Sequence, residues 1–377
     1  MKPAVWVRRL PWSIVVAATG LVILGWMGIA TYEALVEGDG HFLRRQIVWS
    51  VLALAAVVGT SLPNYRIFCR YSYAIFLAVL GLLVLVYFFP AINNARRWIR
   101  IGPLGIQPSE LAKVAFVLAL ARYLMYRENY RRLRGLVIPL ALTTVPVLLI
   151  LREPDLGTAT VFLPVFFVML FAAGAKRRDL ALLLLAGLLM TPLLWTQMSR
   201  EQKSRVTALF EQPSAGGRPS DDAYHLYRAK QVRALGGVWG SALAGQLTDD
   251  PAVYRLPHAR SDFVFCVLGE RFGLPGTAAV LALFGLLVWR AVTVASTTRE
   301  PFGRLVAAGI AALFAVEVLI NTAMTVGLLP VTGLPLPLVS YGGSGLLAHA
   351  IGLGLVLNVG LRPGYEVTKE PFRYAAG

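Results

Sequence analysis

Long apolar runs separated by short polar stretches dominate the chain from end to end. Ten runs stand out, at 12–32, 46–62, 73–90, 108–126, 134–151, 157–174, 180–198, 273–297, 303–328 and 340–362. A helix needs about 20 apolar residues to cross a bilayer, and these runs match that length. None shows the alternating pattern of a membrane β-strand. Inside hydrocarbon each backbone group must find its partner within its own segment, so the runs are predicted to be helices. The expected fold is all-α: a polytopic integral membrane protein with about ten transmembrane helices, one domain over 1–377.

One stretch, 199–262, is long and polar enough to be its own element. Residues 211–222 carry Gly, Pro, Ser and Asp and predict a mobile loop. Tyr224 to Leu235 predicts a short interfacial helix, with Arg228, Lys230 and Arg233 among apolar residues and Gly236-Gly237 ending it. A polar connection of this length is usually functional or disordered. Its ionisable residues at a membrane mouth favour function.

Composition supports the membrane assignment. Of 377 residues 57% are hydrophobic and 15% charged, whereas a soluble domain carries about 25% charged residues. Too few charges remain to cover a water-facing surface. The net charge of +16 would suggest nucleic acid in a soluble protein, but its placement says otherwise. With the N-terminus inside, seventeen Lys and Arg fall in inner loops and tails, against six in the short outer loops. Positive loops stay inside, so both termini are expected in the cytoplasm and no nucleic-acid partner is expected. The first run is too long for a cleavable signal peptide. Cys69 and Cys266 fall on opposite sides and cannot pair, and the histidines at 41, 225, 258 and 349 are scattered. No metal set is expected.

Four segments carry candidate chemistry. The outer loop 91–107 holds Arg96, Arg97 and Arg100 with Trp98 and no acid. Arginine forks bind phosphate bidentately, and Trp98 suits headgroup depth; an ordinary contact with membrane lipid reads the same way. Next comes Pro108-Ser109-Glu110-Leu111-Ala112-Lys113. Ser109 can cap a helix there, Glu110 suits the positive end of its dipole, and Lys113 lies on the same face as Glu110. Ionisable groups inside a span cost roughly 2.5–3.5 kcal/mol each, and face a cavity or each other. A self-satisfied pair locking two helices is the plain alternative. In Glu153-Pro154-Asp155-Leu156-Gly157-Thr158, Asp155 is placed to cap the next span.

Asp262, in Leu256-Pro257-His258-Ala259-Arg260-Ser261-Asp262-Phe263, ends the polar stretch where water meets membrane. A partly desolvated carboxylate there can act as a general base, and as an N-cap it would look the same. Glu270 follows about two helical turns on. One acid rather than a close pair fits a base-assisted displacement better than a retaining scheme. Leu329 to Ser344 carries three prolines and three glycines, a density no helix survives. Non-helical backbone at membrane depth belongs in a cavity wall, which makes Ser340 a candidate substrate contact. Glu317, mid-span, is a further charge that a neighbouring helix would have to pair.

These segments resemble the SEDS family of bacterial cell-wall proteins (RodA/FtsW-type) in order and spacing. Arg97-Trp98-Ile99 with Gln107-Pro108-Ser109-Glu110-Leu111-Ala112-Lys113 resembles the first family block. Glu153–Thr158, Leu256–Phe265 and Pro330–Ser344 are similar to the others, and the match covers essentially the whole chain. The resemblance implies a peptidoglycan glycosyltransferase that polymerises lipid II outside the cytoplasmic membrane, beside a class B penicillin-binding protein. It implies that Asp262 is the essential acid and that Glu110 and Lys113 sit at cavity positions. Under that reading Asp262 takes the proton of the acceptor hydroxyl, and Arg97, Arg100 and Lys113 neutralise the departing diphosphate. Trp98, Asp155 and Ser340 complete the expected substrate site. No cofactor is called for, and a divalent cation stays open.

Asn94 to Trp98 leans towards the division-type members, with elongation open. The chain departs from the pattern at His225 and Arg228, where glutamines are usual nearby, at Arg271 in place of an acid, and at Glu317 in place of a common glutamine. Two rival readings are a lipid II flippase and a non-catalytic scaffold. A transporter would often show inverted repeats and paired broken helices, and no internal repeat is found.

Overall fold

The computed structural model describes residues 10–35, 39–91, 95–102, 104–126, 133–210, 221–242, 244–245, 256 and 258–362. Each of the ten apolar runs contains a helix. In chain order these are α1 (Trp12–Leu35), α2 (His41–Ser61), α3 (Arg66–Leu85), α4 (Pro108–Leu124), α5 (Val137–Arg152), α6 (Leu156–Ala173) and α7 (Arg177–Gln197). After α8 (Arg200–Thr207) and α9 (Asp221–Leu235) come α10 (Val264–Thr297), α11 (Pro301–Val326) and α12 (Gly343–Leu361). Seven of the described helices are long and apolar enough to cross a membrane. Helices α4 and α5 have only 17 and 16 residues. Ten helices therefore stand where ten crossings were expected, and length and composition qualify seven.

Burial separates a central set from a peripheral one. The most apolar stretches of α12 and α11 are 78% and 72% buried, against 11% for α2. Helix α4 is buried along nearly its whole length, from Pro108 to Leu124. It packs on α3, α11 and α12, while α6 packs on α11. A mostly apolar helix is suited to such a centre.

Local chemistry fixes the helix starts. Asp155 caps α6, its carboxylate accepting from the Thr158 amide at 3.2 Å and the Thr158 hydroxyl at 3.0 Å. This is the capping role expected of it. For α4 the expectation fails: Gln107 is the N-cap, Pro108 occupies the first turn, and Ser109 lies inside the helix. Ahead of α4 the outer loop closes a small antiparallel hairpin, β1 (Ile99–Ile101) with β2 (Leu104–Ile106), pairing Ile99 with Ile106.

Of residues 211–222, expected as a loop, 211–220 lie outside the described residues, and Asp221 and Asp222 instead open α9. Helix α9 forms as expected. It packs Ala229 and Val232 into a cluster with Ala259, Phe263, Cys266 and Val267. The run at 273–297 is a correction: its helix begins nine residues earlier, at Val264, and is broken at Gly273 (φ 61°, ψ −148°). The amides of Ser241 and Ala242 donate to the carbonyls of Glu270 and Arg271 at 2.8 and 3.0 Å, and the Leu274 amide donates to Val238. The turn after α9 thus satisfies the carbonyls that the break frees. Cys69 and Cys266 are both buried free thiols.

A Cβ at position 273 would lie 2.3 Å from the Val238 carbonyl oxygen and 2.5 Å from the Gly240 nitrogen, at a positive φ. Gly273→Ala is expected to lower stability by at least about 2 kcal/mol, read as a drop in the thermal unfolding midpoint of the detergent-purified protein. Gly187→Ala, in α7 with open space around its Cβ, should leave the midpoint unchanged or raise it by an amount corresponding to about 0.5–1 kcal/mol.

Candidate active site

All four candidate segments meet at one end of the bundle, around a cavity of about 390 Å³. The hairpin brings Arg97 and Trp98, the start of α4 brings Gln107 and Glu110, and the α5–α6 turn brings Pro154, Asp155 and Thr158. The segment before α10 brings His258, Ser261 and Asp262, and the irregular stretch before α12 brings Gly333, Leu336, Ser340 and Tyr341. Arg205 of α8 and His225 of α9 close the side given by the polar stretch.

The irregular stretch is held by side chains in addition to a short turn of its own, in which the Val339 and Ser340 amides donate to the Leu336 carbonyl at 3.3 and 3.0 Å. The Asn321 amide donates to the carbonyls of Leu334 at 2.7 Å and Asp262 at 2.9 Å. Gln46 of α2 donates to the Ser340 carbonyl at 3.1 Å and accepts from the Gly342 amide at 3.2 Å. The Ser340 hydroxyl accepts from the Leu336 amide at 2.8 Å and donates to the Ser261 carbonyl. Ser340 therefore lines the cavity, but its hydroxyl ties two walls together. The Tyr341 amide donates to the Arg260 carbonyl at 2.9 Å, and the Arg260 guanidinium lies 3.8 Å over the Phe42 ring.

Three acids line the cavity, Asp262 together with Glu110 and Asp155, all of them residues the sequence motifs assign to the site. Two are already engaged. Asp155 caps α6 and accepts from Gln107 Nε2 at 3.1 Å. Glu110 is paired with Lys113 at 2.9 Å. Asp262 remains, half-buried at the cavity wall with Gly333 beside its carboxylate. Burial pushes the Asp262 carboxyl above the usual aspartate range; His258, a hydrogen bond from Ser261 and Arg205 oppose this, and Asp155 adds to it. Such a group is poised to gain and lose a proton nearer neutrality.

The expected cations divide differently. Arg97 lines the cavity, yet its Nε and Nη2 donate to the carbonyls of Glu153 and Pro154 at 2.8 and 2.5 Å. It clamps the α5–α6 turn. The Glu153 side chain beneath is 1% exposed, and burial, with Asp155 adding, pushes its carboxyl up to about 8 against the pull of Arg97. Arg100 is exposed on β1 and lies outside the cavity lining. Lys113 also fails to reach the cavity; it lies behind Glu110 and donates to Glu317 of α11 as well. Glu317 is thus paired by a neighbouring helix, as its position mid-span required. Glu270, like Lys113, is buried outside the lining. Arg205, which sequence reasoning passed over, is the cation that the polar stretch adds to the lining.

Three of the four histidines, expected to be scattered, come together: His225, His258 and His349 line this cavity, and His41 does not. Glu110, Glu317 and His349 bring possible metal-ligating atoms within 4.8 Å of one another. The Lys113 ammonium already lies between the two carboxylates, so this cluster carries its own cation. Among the described residues other than glycine and proline, His258 and Leu338 have positive φ, and both line the cavity. Strain of this kind persists only where surrounding structure holds it, and it concentrates at functional sites.

Known proteins share this arrangement along nearly the whole chain. The probable peptidoglycan glycosyltransferase FtsW of Geobacter sulfurreducens is 34% identical over 86% of this chain and 87% of its own. The peptidoglycan glycosyltransferase RodA of Treponema pallidum is 30% identical over 88% of this chain and 93% of its own. Among solved structures, a chain of a peptidoglycan synthase complex that coordinates polymerization and crosslinking superposes with a TM-score of 0.80. It is 33% identical, over 94% of this chain and 98% of that one. A family model for cell cycle proteins of the FtsW, RodA and SpoVE type matches residues 8–362. With the cavity and its four segments in place, this chain belongs to that family, the SEDS family whose motifs it carries.

Proposed function

We propose that this protein is a peptidoglycan glycosyltransferase that polymerises lipid II at the outer face of the bacterial cytoplasmic membrane, with Asp262 as its general base. One observation carries the reading: four segments distant in sequence converge on a single cavity in which Asp262 is the acid committed to neither a cap nor an ion pair. The bundle geometry supports the orientation. Position 360, near the end of α12, packs against Pro11 at the start of α1, so the start of α1 and the end of α12 share the end opposite the cavity. Positive residues gather towards that end, which belongs inside.

The acceptor's GlcNAc 4-hydroxyl gives its proton to Asp262 as its oxygen attacks C1 of the donor MurNAc. The bond from C1 to the diphosphate oxygen breaks with inversion, and the polyprenyl diphosphate leaves with the bonding pair. Arg205, at the cavity wall on the Asp262 side, suits the growing charge on that diphosphate. The polyprenyl chain stays in lipid between peripheral helices. The scheme calls for no resident cofactor. A cross-linking class B penicillin-binding protein is the partner that such a strand-forming enzyme would work beside, in elongation or in division.

Asp262→Asn is expected to lower strand formation from purified lipid II by at least about 100-fold, read on a glycan gel with the purified chain and its partner. Near-normal strands from that variant would remove the base. In the wild type, kcat/KM should rise with pH as Asp262 loses its proton, with a midpoint above the usual aspartate range. Arg205 pulls that midpoint down, so Arg205→Gln should move the acidic limb to higher pH.

Placement of the cations gives a separate comparison. Arg205→Ala should cost roughly 10-fold or more in kcat/KM, whereas Arg100→Ala, exposed on the hairpin, should change it by less than about 3-fold. Equal losses from both would return the diphosphate site to the hairpin.

A further inference from the structure

Beneath the cavity wall, three helices bring four ionisable side chains together. Glu110 and Lys113 of α4, Glu317 of α11 and His349 of α12 are each no more than 2% exposed. The Lys113 ammonium lies 2.9 Å from Glu110 and also donates to Glu317. The other Glu317 oxygen is 2.5 Å from His349 Nε2, and His349 Nδ1 is 2.6 Å from the Gly345 carbonyl. The Phe314 ring packs on the imidazole at 5.3 Å. Glu110 and His349 reach the cavity, and Lys113 and Glu317 lie behind them.

Hydrogen-bond chemistry settles the charge balance. A carbonyl oxygen only accepts, so Nδ1 carries a hydrogen and donates to Gly345. Nε2 then faces a carboxylate oxygen, and one proton must lie between the two. Whichever atom holds it, Glu317 and His349 together carry no net charge, and Glu110 and Lys113 likewise. Without His349 two buried carboxylates would compete for one ammonium, and a buried charge left without compensation is costly.

We propose that Glu317 and His349 are positioning residues for Glu110: the proton they share cancels the Glu317 charge, which leaves the Lys113 charge to balance Glu110 while its ammonium bridges both carboxylates, and so fixes Glu110 in the wall of the active-site cavity. The inference rests on the polymerase reading above for its consequence in catalysis. It assigns His349 no contact with the reacting atoms. Its work is done through Glu317 and Lys113.

The test compares wild type, H349N and E317Q/H349N, each as the full chain with lipid II and rates normalised to folded protein. H349N should lose at least about 10-fold in kcat/KM, because Glu317 then draws Lys113 away from Glu110. Removing the Glu317 charge in the same chain should restore activity to within about 3-fold of wild type, since the two changes act on one network. Thermal unfolding midpoints should follow the same order, with H349N lowest. H349N equal to wild type, or a double variant as poor as H349N, overturns the proposal; the second result would make His349 act directly. If wild type itself forms no strands, the polymerase reading falls, and the midpoints decide alone. A restored midpoint in the double variant then supports the network, and an unrestored one rejects it.

Discussion

Backbone that leaves the helix at membrane depth must find its hydrogen bonds in protein, and the stretch from Leu328 to Tyr341 sets that requirement here. Its carbonyls and amides are met by Asn321 from α11, Gln46 from α2 and the Ser340 hydroxyl from within the stretch. Two of these groups also reach a second wall. Asn321 holds Asp262 as well as Leu334, and Ser340 holds Ser261 as well as Leu336. Satisfying the irregular backbone therefore fixes the segment that carries the candidate base. The cavity is what remains between walls tied in this way.

Charge in the same region follows from the cost of burial. A carboxylate removed from water needs an opposite charge or several donors. Asp155 obtains donors from Thr158 and Gln107, and Glu110 obtains an ammonium. Glu317 obtains both Lys113 and His349. Asp262 has a hydroxyl beside it and charges further off, which leaves its proton affinity raised. A group that is fully compensated makes a good strut and a poor base. The distribution of partners separates the acids by role more clearly than their residue type does.

The helices were legible because a bilayer makes hydropathy a direct report of position, and each apolar run contains a helix. Asp155 as a cap and Asp262 at the wet end of α10 were legible too, from polar residues placed just before apolar runs. What escaped depended on contacts between segments. Nothing local marks Arg205 as a wall residue or Arg100 as an exposed one, because both are arginines in polar loops. Lys113 reads as a substrate ligand until α11 brings Glu317 behind it. His349 looks like a lone histidine in an apolar run, since its partner lies 32 residues away on another helix. The break at Gly273 had a local signal in Gly273-Leu274-Pro275-Gly276, but the backbone that fixes its geometry, Val238 to Gly240, comes from a distant segment.

Rigidity at this end of the bundle has a chemical purpose. Displacement at a sugar carbon needs the attacking oxygen, the base and the leaving group held in line, and misplacement of about 1 Å can cost about 100-fold. The walls are accordingly made from elements with little freedom: a hairpin pinned by Arg97, a capped helix start, and a threaded loop bonded at both sides. Positive φ at His258 and Leu338 is strain these walls can bear because neighbouring elements hold each segment in place. Substrate, by contrast, must enter with a long lipid chain and leave as a growing strand. The polar stretch builds a further wall from α8 and α9, with α9 packed on α10 and α11. The fixed walls can therefore hold the reacting groups while this wall supplies Arg205 and His225 from a separate element.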